Sequence, residues 1–161
     1  RDAQESRGLG DVYKRQDYHQ AKVLAEKSVQ TGSKAGEIVL ARVLVNQQAG
    51  TPNYPHAITL LQHAAQDPES DSAVDAQMLL GLIYASGVHL PEDDVKATQY
   101  FKESSALSRT GYAEYWAGML FLQGEKGFIE PNRQKALHWL NVSCQEGFDT
   151  GCEEFDRISK R

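Results

Sequence analysis

The sequence predicts an all-α chain, an α-solenoid of antiparallel helix pairs, and two periodic patterns predict it. The first is a capped helix start that recurs four times in one register: Asp17-Tyr-His-Gln20-Ala21, Asn53-Tyr-Pro-His56-Ala57, Asp93-Asp-Val-Lys96-Ala97 and Asn132-Arg-Gln-Lys135-Ala136. Its alanines lie 36, 40 and 39 residues apart, a period typical of stacked helical units. The second is a partner helix built around small residues. It is clearest as Ala76…Leu80-Gly81…Tyr84…Gly87 and Ala113…Ala117-Gly118…Phe121…Gly124, and weaker as Gly36…Leu40-Ala41…Leu44.

Taken in order, residues 1–16 do not fit this scheme. They carry seven charged residues and two glycines without a helical apolar stripe. Ser6 to Gln16 resembles translated sequencing-linker sequence, so 1–16 is expected to be extraneous or disordered. The solenoid is expected over 17–161, with helices near 17–31, 35–48, 55–66, 74–86, 94–107, 112–123, 133–145 and 150–159.

Asp or Asn at each capped start accepts from free first-turn amides, worth about 1 kcal/mol. Pro55 falls in a first turn, where its missing amide costs little. Apolar or aromatic pairs follow three and four residues after the alanine: Leu24-Ala25, Leu60-Leu61, Tyr100-Phe101 and Trp139-Leu140. Small pairs come next, Ser28-Val29, Ala64-Ala65, Ser104-Ser105 and Ser143-Cys144, and let a neighbouring helix approach. Gly81 and Gly118 lie mid-helix at a cost of about 1 kcal/mol against alanine, which points to close backbone contact. Gly87 and Gly124 mark helix ends, where positive φ is wanted. The insertion Asp67 to Asp75 is expected to lengthen an inter-repeat turn. The chain starts on the second helix of a pair, which leads to the expectation of a truncated N-terminus. Cys152 to Arg161 is polar enough to read as a native C-terminal cap.

This two-part pattern resembles the Sel-1-like repeat family, relatives of the tetratricopeptide repeats, over residues 17 to about 158. The resemblance implies three and a half helix-pair repeats, near 17–31, 35–66, 74–107 and 112–145, with a capping helix at 150–159. It also implies adaptor or scaffold roles, in bacteria often at the cell envelope.

Cys144 and Cys152 are the two cysteines. A tight turn would bring their β-carbons within bridging distance, while two small buried thiols in a cytoplasmic protein is the alternative. The same spacing resembles the cysteine-rich branch of the family, which implies a disulfide and a periplasmic or secreted location.

Composition excludes several functions. A net charge of −5 lacks the basic face that nucleic-acid binding requires. No apolar run approaches the roughly eighteen residues of a membrane span. His56 and His63 lie two turns apart, but His56 takes the place of Lys96 and Lys135, a position expected to be solvated, so no metal site is expected. There is no phosphate-binding loop, nucleophile elbow or zincin motif, and no cofactor is expected. Some cysteine-rich relatives have had β-lactam hydrolysis ascribed to them, which makes a weak β-lactam or cell-wall hydrolase the alternative function. The Ser-x-x-Lys, Ser-Asp-Asn and Lys-Thr-Gly motifs of that chemistry are all missing.

The expected function is therefore a non-enzymatic scaffold that presents a groove to a protein or peptide. By analogy with related repeats, the first helix of each pair lines the groove. Its candidate residues are Arg42, Asn46, Gln77, Met78, Leu82, Glu114, Tyr115, Met119 and Gln123. Trp116 and Trp139 read as core.

Overall fold

A computed structural model describes residues 3–161, with side chains described from Gln16 onward. Eight α-helices follow one another among the described residues: α1 Ala3–Gln30, α2 Lys34–Val45, α3 Tyr54–Ala64, α4 Asp71–Ser86, α5 Asp94–Leu107, α6 Tyr112–Gln123, α7 Arg133–Gln145 and α8 Asp149–Ser159. Each packs mainly on its sequence neighbours, so the chain is an α-solenoid. No described helix is long and apolar enough to cross a membrane.

The capped starts do more than end a helix. Asn53, Asp93 and Asn132 each accept from the third amide of their helix, at 3.1, 3.0 and 3.0 Å. The backbone amides of the same residues reach back to the preceding helix, donating to the carbonyls of Leu44, Tyr84 and Phe121 at 2.8, 3.0 and 2.7 Å. One residue thus starts the second helix and ties it to the first, which is why the submotif recurs so strictly.

The small positions are explained as strictly. A Cβ on Gly81 would lie 2.4 Å from Phe101, and one on Gly118 would lie 2.7 Å from Leu140. Ser104 and Ser143 depart from alanine because their hydroxyls donate to the carbonyls of Val74 and Gly111, at 3.2 and 2.7 Å. Both carbonyls stand at the head of the neighbouring first helix. The core runs continuously from Ala25 to Trp139, with Phe101 edge-on to Trp139 at 5.0 Å between ring centroids.

Four expectations need correction. Helix α1 extends upstream of residue 17 to Ala3, where no ordered element was expected. Helix α2 stops at Val45, because Asn46 turns extended and caps a short 3-10 turn, Gln47–Ala49. The Asp67–Asp75 insertion lengthens a helix as well as a turn: Ser70 caps α4, which begins at Asp71. Lys135 is not solvated. Its ammonium donates to the last carbonyls of α4, Ala85 (3.0 Å) and Ser86 (2.8 Å), and pairs with Glu92 at 3.0 Å. A cation at a helix C-terminus meets the negative end of its dipole. The expected glycine conformations at Gly87 and Gly124 are present, at φ 66° and 76°.

Candidate functional site

The first helices α2, α4 and α6 lie side by side, α4 in the middle. They enclose a cup of about 350 Å³. Ile38 and Arg42 come from α2, Val74, Asp75, Met78 and Leu79 from α4, Tyr112 and Trp116 from α6, and Ser108 from the end of α5. Two other hollows, of about 450 and 440 Å³, lie between α3 and the segment 84–96 and between α1 and the segment 125–126. Of these three hollows among the described residues, the cup is the one where three successive first helices converge, an arrangement suited to an extended ligand.

A clasp joins the first repeat to the third. The loop after α6 folds back through a lone antiparallel bridge, Glu125 to Ile129. Its Gly127 carbonyl accepts from the Gln47 amide at 2.7 Å. Asn46 donates to the Lys126 carbonyl and to the Tyr18 hydroxyl, each at 3.2 Å. Gly127 has φ 84°, and a Cβ there would strike the Asn46 side chain at 2.3 Å, so glycine is required twice over. Arg42 and Glu125 complete the clasp as an ion pair at 3.1 Å.

The candidate residues read from the sequence divide accordingly. Arg42 and Met78 line the cup. Asn46 is buried in the clasp, Leu82 is fully buried, and Gln77 is buried with a 3.5 Å contact to Glu103. Leu82 is enclosed because α4 is flanked on both sides by α2 and α6. Gln123 is exposed and Met119 half-buried, and neither reaches the cup. Tyr115 is half-buried in an aromatic cluster with Tyr112 and Phe148, at 6.5 and 5.3 Å between centroids. Trp139 is core as expected, whereas Trp116 is half-buried and faces the cup.

Glu114 is 1% exposed, and its Oε2 has no hydrogen-bond partner among the described residues. Burial pushes its carboxyl above the usual carboxylate range; Glu146 adds to the rise, while its own backbone amide and Lys102 oppose it. Glu114 is therefore part of the frame and does not line the cup.

Ile38, Val74, Asp75, Leu79, Ser108, Tyr112 and Trp116 escaped the sequence reading. Trp116 carried a signal: in register it stands where the other copies have Val39 and Leu79, and a tryptophan there is unlike either. Helix α6 starts without a side-chain cap, and Tyr112 in its first turn is 40% exposed.

Cys144 and Cys152 form a disulfide that links α7 to α8, with Cα atoms 4.5 Å apart. Among the described residues no three His, Cys, Asp or Glu side chains converge as a metal site would need. His63 meets Glu37 at 2.7 Å, across α3 and α2.

Comparison with known proteins agrees with this architecture. The Sel1 repeat family model matches residues 74–108 and 111–148, the two units built on α4–α5 and α6–α7. A sel1 repeat protein of known crystal structure from Klebsiella pneumoniae subsp. pneumoniae is 78% identical, covering 92% of this chain and 73% of that one, with a TM-score of 0.87. The chain belongs to the Sel1 repeat family. The Sel1-repeat-containing protein YjcO of Escherichia coli K12 is 71% identical over 143 residues, 89% of this chain. This Sel1 chain spans 62% of the length of that relative. An antigen of uropathogenic E. coli with the same repeat fold matches at 23% identity and a TM-score of 0.52, over 85% of this chain and 28% of that one. It shares the fold.

Proposed function

We propose that this Sel1 chain is a non-catalytic interaction module whose cup holds an extended segment of a protein partner in the bacterial envelope. The observation that carries the reading is the cup itself. Three first helices present an open apolar surface at which Trp116 and Tyr112 stay accessible. Aromatic residues that are rigid and only partly buried are the usual anchors of protein recognition. The clasp supports the reading too, since a cup held between repeats loses less conformational freedom on binding.

Location rests on the disulfide, which persists in oxidising compartments. An Azotobacter vinelandii relative, 28% identical over 134 residues (67% of this chain, 28% of that protein), bears the name alginate biosynthesis protein AlgK. No observation favours a hydrolase.

A phage-displayed random peptide selection tests the module. Clones enriched on the wild type should lose binding to Trp116→Ser and keep it on Gln99→Ser, since Gln99 is exposed on α5 outside the cup. Equal binding to both variants would remove the cup from the function. Fractionation of the native host with thiol labelling tests the location; a cytoplasmic protein with two free thiols would refute it.

A further inference from the structure

We propose, building on the cup as the binding surface, that it takes a basic side chain, Lys or Arg, projected from an extended segment of a partner protein, with Asp75 as counter-ion. Three features of the cup point to that chemistry. Asp75 is exposed on α4 and makes no ion pair with any described residue. Met78 and Leu79 on the same helix, with Ile38 opposite, offer an apolar wall suited to the long methylene stem of such a residue. Trp116 and Tyr112 supply the aromatic faces that attract an ammonium or guanidinium group.

The charge balance of the cup decides between occupants. Its own cation, Arg42, is held by Glu125 at 3.1 Å, so the clasp neutralises it. Arg109, which follows the cup's Ser108 in the chain, lies over the Phe148 ring at 4.7 Å and makes no ion pair with Asp75. One uncompensated carboxylate is left in the cup. An acidic occupant would meet repulsion from Asp75. An aliphatic one would draw that carboxylate out of water without a partner, which is unfavourable. A basic one gains an ion pair, and the chain's net charge of −5 favours its approach.

The test uses three peptides, acetyl-Gly-Leu-Xaa-Leu-Gly-amide with Xaa Arg, Gln or Glu. Each is titrated into isotope-labelled protein to millimolar concentration, following the Trp116 indole N–H and the Met78 methyl by NMR. The Arg peptide should bind roughly five- to tenfold tighter than the Gln peptide, and the Glu peptide weakest. Asp75→Asn should cut the preference for Arg over Gln to about two- to fourfold, the part left to the aromatic rings. Glu125→Gln, which releases Arg42, should weaken the Arg peptide and strengthen the Glu peptide. Equal binding of the Arg and Gln peptides, or a preference that Asp75→Asn leaves undiminished, overturns the basic pocket while leaving the cup a binding surface. Absence of any shift with all three peptides overturns both.

Discussion

Replacing Gly81 by alanine sets a helix-propensity gain against a collision whose size follows from the structure. The gain is about 1 kcal/mol, since Gly81 lies well inside α4. The new Cβ would stand 2.4, 2.6 and 2.9 Å from three atoms of the Phe101 ring, where ordinary contact begins near 3.4 Å. The ring must therefore retreat by about an ångström. It has little room, because Phe101 is fully buried and lies against Trp139, itself 1% exposed. Overpacking of close-packed interiors costs about 1–3 kcal/mol, and a ring backed by a second buried ring belongs in the upper part of that range. The net effect is destabilisation by about 1–2 kcal/mol, a fall in Tm of roughly 3–6 °C. Far-UV circular dichroism melts of wild type, Gly81→Ala, Phe101→Leu and the double variant measure it. Because Phe101→Leu removes two of the three struck atoms, Cε1 and Cζ, the double variant should be more stable than the sum of the single effects by about 1 kcal/mol or more. A higher Tm for Gly81→Ala, or additive effects in the cycle, would refute close helix contact as the reason for glycine.

Three further outcomes are expected. Lys135→Met should lower stability by about 2–3 kcal/mol in urea unfolding, since it removes charge-assisted bonds to two terminal carbonyls of α4; a loss below about 0.5 kcal/mol would return Lys135 to the surface. Changing both Cys144 and Cys152 to serine should cost about 2.6 kcal/mol by loop-closure entropy for so short a loop, and dithiothreitol should reproduce the shift in the wild type but not in the variant. Glu114→Gln should stabilise the protein, and more so as pH rises: the raised native pKa favours the protonated fold, so that contribution is present below the unfolded value of 4.5 and is lost as pH climbs through the native one. Melts at pH 5 and pH 8 decide it, an equal gain at both being the contrary result.

Local chemistry with a fixed sequence spacing was legible in advance. Asn132 shows its role to any reader who knows what a helix N-terminus lacks, and the mid-helix Gly118 announces a close neighbour because nothing else offsets its cost. Helices α5, α6 and α7 consequently begin and end where the pattern put them. What depended on distant residues was not legible. Asn46 looked like a groove residue because the carbonyl it bonds, that of Lys126, lies 80 positions away. Lys135 looked solvated because its acceptors lie 49 and 50 positions upstream. The acidic stretch from Asp67 to Asp75 read as a turn, yet Ser70 caps a helix within it and Ala73 packs into the core.

The expected groove residues scatter over different environments for a geometric reason that a repeat alignment conceals. Counting from the aligned small residues Gly36, Ala76 and Ala113, the cup draws on positions two and six after the first. It draws on positions two before to three after the second, and on one before and three after the third. The contributing surface slips toward the helix N-terminus along the array, as expected when successive first helices are rotated against one another in a superhelix. Equivalent positions therefore do not do equivalent work: Arg42, Leu82 and Met119 align, yet one is exposed in the cup, one is fully buried and one lies outside it. The clasp has the same origin, since only a tightly wound array brings Glu125 of the third repeat onto Arg42 of the first. Winding thus both selects which side chains face the cup and, by pairing Arg42, leaves the cup's charge to Asp75.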